Sequence, residues 1–316
     1  MRNPKTKTEK AFAPILAVMI LILLVATPFF ASVYTTVLLT SILMYMIIAV
    51  SWALFSGPTG YISLASAAFF GMGIYTSAVL GMALPFPLVV VLGALVSGCL
   101  ALLVGMLTLR LRGIYFVMFT FGLVELLLNF ILWWEFTITK TTGRVVLPVS
   151  NTTVFYVMLL ILVILVVTVF LIRRSKYGLA LESIGENEDA AAHAGVNVIA
   201  LKVIIYAVSA FFMGAAGAVI ATRWTYIDPK IAFNPLISFM PVLMAIFGGI
   251  RRLYGPIIGA AIFTYLEEFL ITRFPYHYML IFGIIMVVAI LYMPNGLAGL
   301  GDAIWRRISR RIHADA

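Results

Sequence analysis

The sequence predicts an all-α protein, a polytopic transmembrane helical bundle of about ten segments with one or two broken or re-entrant helices. Three observations carry this. Of 316 residues, 64% are apolar and only 10% charged, against roughly 45–50% and about 25% in a soluble domain. So few charges cannot cover a soluble surface, which excludes a soluble enzyme and argues against disorder and a large extramembrane domain. Ten apolar stretches read as membrane segments, about 20 such residues being needed to cross the hydrocarbon core. Lys and Arg fall mostly on one set of alternating loops, as the positive-inside rule requires of a cytoplasmic face.

The segments run roughly over 12–31, 34–55, 61–82, 88–109, 113–134, 154–172, 202–222, 236–250, 255–272 and 278–294. The first follows Arg2, Lys5, Lys7 and Lys10. With so many spans after it, an uncleaved helix is expected rather than a signal peptide. Ser56-Gly57-Pro58-Thr59-Gly60 is all that separates the second segment from the third, and the eighth is short. Those two places are where broken or re-entrant helices are expected. With the N-terminus inside, 16 of the 21 Lys and Arg lie on the cytoplasmic side, and only Lys140, Arg144, Arg223, Lys230 and Arg273 lie outside. Ten crossings then leave both termini in the cytoplasm.

This distribution accounts for the net charge of +9, so anionic membrane lipid is the expected partner and nucleic acid is not. Two loops have appreciable length, an external one at about 135–153 and a cytoplasmic one at about 173–200. No linker divides the chain, and residues 1–316 read as a single transmembrane domain. Five helices on each side of the external loop make an inverted repeat topologically possible. The one internal likeness, Ala53-Leu54-Phe55-Ser56-Gly57 with Ala245-Ile246-Phe247-Gly248-Gly249, lies on a single face and does not support it.

Catalytic and cofactor chemistry finds no residues. There is no GxxxxGK[ST] phosphate loop, so ATP is not expected to bind this chain by that route. His193, His277 and His313 are far apart, without HExxH or companion cysteines, and no metal site is expected. Cys99 is the only cysteine, which excludes an intrachain disulfide. Ser63, in Gly60-Tyr61-Ile62-Ser63-Leu64, lacks the second glycine of a nucleophile elbow.

Three features remain. In the cytoplasmic loop, Asn187 suits a helix N-cap, with Glu188 and Asp189 at the positive end of the dipole. Ala190 to Ala192 favour helix, His193 suits the last turn and Gly195 the C′ position. Leu179 to Ile184 form a preceding short helix. The pair reads either as a solvated connector or as helices that dock in a partner's groove. The stretch from Gly57 to Tyr75 combines helix breakers with small residues. It reads equally as a broken helix lining a substrate site or as small-xxx-small packing. Gly248-Gly249-Ile250-Arg251-Arg252-Leu253-Tyr254-Gly255-Pro256 poses the same pair of readings. Intramembrane acids come last. Glu267 and Glu268 lie near the outer end of their helix, whereas Glu125 is deeper and is expected in the interior. A hydrogen bond to Asn129 at i+4 is preferred for it over a proton-handling role.

Taken in order, several stretches resemble the permease of branched-chain amino acid ABC importers, LivM type. Ser63-Leu64-Ala65-Ser66-Ala67-Ala68-Phe69-Phe70-Gly71-Met72-Gly73-Ile74-Tyr75-Thr76 is similar to the family's SLGHAAFFGIGAYT, and Arg112-Gly113-Ile114-Tyr115-Phe116 to its RGxYF. Gly178, Ile184 to Asp189, Ala191 and Gly195 resemble its EAA-type coupling loop. Tyr226-Ile227-Asp228-Pro229, the Phe247 to Ala261 stretch and Pro294-Asn295-Gly296-Leu297 complete a series from about Ser41 to Gly301. The resemblance implies a bacterial inner-membrane transport subunit rather than an enzyme, with no cofactor of its own. It implies two cytosolic ABC ATPase subunits, a related second permease, an extracytoplasmic solute-binding protein and a small-molecule substrate: leucine, isoleucine or valine, or a related small polar solute such as another amino acid, an amide, urea or a small aromatic acid. It makes Gly178, Glu182, Ile184, Glu186, Asn187, Glu188, Ala191 and Gly195 the ATPase-coupling residues. A translocation pathway is expected along Gly57, Gly60, Ser63, Ser66, Gly71 and Tyr75.

Departures from the family pattern fall in the pathway and the outer loop, where substrate would be read, and at one place in the coupling loop. Ala65 and Ser66 replace Gly and His or Gln, Gly185 a basic residue, and Arg251-Arg252 interrupts GGxGT. The outer loop has Thr139-Lys140-Thr141-Thr142-Gly143 in place of a TGG run. Lys140 and Arg144 there are expected to meet acids on a docking protein. The reading from a different class is a self-sufficient ion-coupled secondary transporter or channel, with Glu125 as the coupled group.

Overall fold

The computed structural model describes residues 7–141, 143–250 and 252–292. Its helices are α1 (Lys7–Phe30), α2 (Val33–Thr59), α3 (Ser66–Leu80), α4 (Phe86–Thr108) and α5 (Ile114–Trp134), followed by a π-helical turn at Glu135–Thr139. Then come α6 (Asn151–Arg174), α7 (Lys176–Glu186), α8 (Glu188–His193), α9 (Val198–Ala221) and α10 (Pro229–Ala232). The last three are α11 (Leu236–Gly248), α12 (Tyr254–Arg273) and α13 (Tyr278–Tyr292). A two-residue antiparallel ribbon joins β1 (Arg144–Val145) to β2 (Tyr226–Ile227). Each of the ten expected segments is helical, and seven helices among the described residues are long and apolar enough to cross a membrane unaided.

Two boundaries differ from expectation. α2 does not stop before Gly57 but continues through Pro58 to Thr59, where Gly60, at φ 73°, closes it. A proline in the last turn forfeits one backbone hydrogen bond without blocking the turns before it. The third segment starts only at Ser66, so residues 60–65 are non-helical. The eighth is the 13-residue α11. Pro294 to Leu297, the stretch on to Gly301, Arg2, Lys5 and the basic C-terminus, Thr142 and Arg251 lie outside the described residues.

α9 is the most enclosed of the long spans. Small residues bring α3 and α4 onto it: a Cβ at Gly73 would stand 2.0 Å from the Gly214 carbonyl oxygen. Ser97 of α4 donates to the Phe69 carbonyl of α3 at 2.8 Å. With no water to expel inside a bilayer, such close backbone approach and hydrogen bonding hold helices together. The glycines at 248 and 255 close α11 onto α12 the same way, which is the packing reading of that stretch.

The pairings of the two halves correspond. α4 lies along α9, and α12 lies along α2; α3 pairs with α4, and α11 with α12. The short helices α3 and α11 run in opposite senses from N-termini that meet, the Ala67 N–H donating to Ser238 Oγ at 3.0 Å. The inverted relation that topology allowed is thus visible in packing, without support from sequence likeness. Contacts also sort the loops into two ends. Arg112 meets Asp189, and Gly57 faces Ile250, at one; Tyr34 meets Glu268, and β1 meets β2, at the other. The first is called the basic end below, because Arg110, Arg112, Arg173, Arg174, Lys176 and Arg252 collect there.

Candidate functional site

Residues 60–65 carry backbone groups that no helix satisfies. Side chains from three helices serve the break itself. Trp52 of α2 donates its indole N–H to the Ser63 carbonyl at 2.8 Å. Thr120 of α5 accepts from the Leu64 N–H at 3.0 Å. Tyr206 of α9 places its hydroxyl 3.1 Å from Ser63 Oγ, which also accepts from the Ala65 N–H. Non-helical backbone within a membrane needs this kind of enclosure by protein.

The expected pathway residues are spread along this stretch. Gly57 faces Ile250, and Gly60 is exposed at the basic end. Ser63 and Ser66 are buried at 4% and 1% exposure. Gly71 packs against Ala232 and Phe233, and the Tyr75 ring lies 6.3 Å from that of Phe233. Ser56, Ser63, Ser66 and Ser209 cluster with Trp52, Phe55 and Tyr206 along a closed seam too tight for a water molecule. The hydroxyls of Ser56 and Ser66 have no protein partner in it.

Beneath the break sit α7 and α8. Asn187 caps α8 as expected, accepting from the Asp189 and Ala190 N–H groups at 3.0 Å each. Gly195, at φ 86°, ends it, with the Val196 N–H returning to the Ala191 carbonyl at 3.1 Å. This is the Schellman closure, for which glycine alone carries no steric penalty. The eight candidate residues of this unit divide by face. Gly178, Ile184 and Ala191 are buried against the chain's own helices, whereas Glu182, Glu186, Asn187 and Gly195 are exposed. Ala191 therefore faces inward, away from any partner docked on the exposed face, because the small side of this amphipathic unit packs on the bundle. A Cβ at Gly185 would meet the Pro58 carbonyl oxygen at 2.0 Å, so α7 lies directly on the last turn of α2. A groove of about 420 Å³ between them is lined by Gly57, Gly60, Gly178, Glu182 and Glu186 among others. The two candidate sets meet there.

Glu188 turns inward. One carboxylate oxygen is 2.5 Å from Lys202 Nζ and the other 3.2 Å from Arg112 Nε. Arg112 also reaches Asp189 at 3.0 Å, and its hydrogen bond and charge hold the Asp189 carboxyl below its usual pKa. Lys202 had counted only as a cytoplasmic charge. It is the single charged residue of α9, a signal of function that applies to bases as much as to acids.

At the opposite end Glu135 is fully buried in the π-helical turn. It accepts from the Gly143 N–H at 2.9 Å and lies 3.6 Å from Arg144 Nε. Arg144 also sits over the Trp134 ring at 5.2 Å. Arg144 is thus engaged within the chain and not held out for docking; Lys140 is the exposed base of this loop.

Glu125 is a further correction. It lies midway along α5 but is exposed, as are Gly122 and Asn129 on the same face. Asn129 Nδ2 donates to the Glu125 backbone carbonyl at 2.8 Å, not to its carboxylate. Depth along a span says nothing about which way a residue faces when the whole helix is apolar.

A family model described as branched-chain amino acid transport system / permease component matches residues 34–290. The chain belongs to this family. Among its relatives, the high-affinity branched-chain amino acid transport system permease protein LivM of Salmonella typhimurium is 27% identical, over 88% of this chain and 73% of that one. The protein of the same name from Escherichia coli is also 27% identical, over 89% and 73%. The ribose import permease protein RbsC of Haemophilus influenzae is 26% identical over 39% of this chain and 40% of its own. No solved structure matches the chain. The permease is a multi-pass membrane component of a transport system and not an enzyme.

Proposed function

We propose that this permease is the membrane subunit of an ATP-driven importer that brings leucine, isoleucine or valine into a bacterial cytoplasm. One observation supports it above the rest. α7 and α8 form a folded unit seated on the last turn of α2, next to the interrupted segment, and their outer face is left exposed. Two cytosolic ATPase subunits are the proposed occupants of that face. Gly178, Ile184 and Ala191 then fix the unit to the bundle, Asn187 and Gly195 shape it, and Glu182 and Glu186 meet the partner. Glu188 belongs to the same unit but works inward.

The proposed pathway passes Gly57, Gly60, Ser63, Ser66, Gly71 and Tyr75. The unpartnered hydroxyls of Ser56 and Ser66 support it, since buried polar groups are almost always hydrogen-bonded and a polar solute would supply the bond once the closed seam around them opens. The exposed Glu125 and Asn129 support a second, related permease against α5. A carboxylate at mid-membrane depth is costly in lipid and belongs beside protein or a water-filled path. An extracytoplasmic binding protein is assigned to the end carrying Lys140. The positive-inside rule puts the basic end, and with it both termini, in the cytoplasm of a cell with an inner membrane. Residues 1–316 act as one permease domain in this reading. Matches to LivM over almost nine tenths of the chain, against about two fifths for sugar permeases, favour branched-chain amino acids over a sugar.

Uptake by the complex reconstituted in vesicles, with its ATPase and binding protein, is expected to require ATP. Transport by this chain alone, driven by a proton or sodium gradient, would overturn the proposal.

A further inference from the structure

The geometry points to Lys202 as the positioning residue that transmits movement of the α7–α8 unit to the broken segment. It rests on the importer reading above. Lys202 is 1% exposed, and all three of its N–H donors are spent on different parts of the molecule. One goes to Glu188 of α8 at 2.5 Å, one to the carbonyl of Leu109 just past α4 at 3.0 Å, and one to the Tyr61 hydroxyl at 3.1 Å. Tyr61 is the first residue after the glycine that ends α2. Its ring lies 4.3 Å below the ammonium and packs edge-on to Phe116, centroids 5.4 Å apart. Phe116 in turn lies 6.2 Å from Tyr206, whose hydroxyl reaches Ser63. The contacts from Glu188 to Ser63 are therefore continuous and pass through one flexible point charge.

A merely structural clamp would join neighbours that move together. Here the three acceptors belong to the partner-facing unit, to the end of a core helix and to the start of the break. Moving α8 away must either carry the ammonium and Tyr61 with it or strand a buried unpaired charge, which is strongly disfavoured. Two discrete arrangements are what rigid-body transmission requires. Lysine, with three rotatable donors on a long stem, suits a joint between parts that shift; arginine's fixed fork does not.

The test uses the complete transporter in vesicles and reads ATP hydrolysed per solute taken up. Lys202→Met is expected to assemble with the ATPase at the wild-type ratio and to keep basal hydrolysis. Its hydrolysis per solute should rise about tenfold, the scale of a typical coupling between sites. Tyr61→Phe, which keeps the ring and loses only the hydroxyl, should raise the same ratio less. If Lys202→Met does not assemble, Tyr61→Phe decides alone. A wild-type ratio in the deciding variant, or hydrolysis and uptake falling in step with assembled complex, overturns the inference. Failure of the wild-type complex to use ATP would instead refute the importer reading, and the control arm shows it.

Discussion

Among the described residues a buried charge cluster stands at each end of the permease, and the two are built differently. At the basic end Lys202, Glu188 and Arg112 join α9, α8, the α4–α5 turn and, through Tyr61, the broken segment. At the opposite end Glu135 bonds Gly143 and faces Arg144, eight and nine residues further on. The second cluster closes one loop on itself, with Tyr75 of α3 beside it and the β1–β2 ribbon aiding it. Both remove a carboxylate from water, yet the first ties together more separate elements through direct charge contacts and would feel most strongly a displacement of one helix relative to another. Buried charge marks importance; what distinguishes a joint from a staple is the number of independent elements the charge holds.

Four substitutions break or sharpen this contrast, from the largest expected effect downward. Gly73→Val lies outside both clusters and sets the scale. A side chain there meets the Gly214 carbonyl, an overpacking expected to destabilise by about 4 kcal/mol or more, and the permease should be absent from membranes by immunoblot. Lys202→Met should lower abundance, since it leaves Glu188 without one buried partner, and in the complexes that assemble it should uncouple hydrolysis from uptake, as argued above. Glu135→Gln should do the converse. Weakening a buried charge-assisted bond costs roughly 1–3 kcal/mol, felt as faster proteolysis of the 135–150 loop, with the ratio of ATP to solute unchanged. A raised ratio in Glu135→Gln would erase the distinction between the two ends.

Asp189→Asn is expected to do least. Its carboxyl is exposed and Arg112 depresses its pKa. The pairing contributes above the unfolded-state value, ~3.9, and is lost only as pH falls through the lower folded value. Uptake between pH 5 and pH 8 should therefore be the same in Asp189→Asn and wild type at physiological salt, because exposed ion pairs are screened and contribute little. A pH-dependent difference in that window would mean that the outer pair belongs to the joint.

What could be read in advance follows from the physics of each feature. The ten segments were legible because length and apolarity alone decide them. The Asn187 cap and the Gly195 terminus were legible because capping is local. The start of α3 was not: Leu64-Ala65-Ser66-Ala67 has ordinary helical composition. What keeps Leu64 and Ala65 out of the helix is Trp52, Thr120 and Tyr206, all distant in sequence. Facing was equally hidden. A span that is apolar all round shows little amphipathic stripe, so Glu125 was assigned to the interior and is exposed; Ala191 was assigned to a partner and is buried, because in a six-residue helix with three alanines the sequence does not say which side meets the bundle. Lys202 was missed for another reason: a base near a helix end is counted for orientation, and its lone position in an apolar helix went unused.

The central claim is that the nucleotide state at the basic end reaches the break through Lys202. It is tested most directly in the complete transporter carrying Cys99→Ala, with a single cysteine in place of Ser66 and a small hydrophilic thiol reagent. ATP should change the labelling rate of Ser66→Cys, and Lys202→Met should abolish that change while ATP remains bound. Labelling that is the same with and without ATP, or an ATP response that survives Lys202→Met, would contradict it.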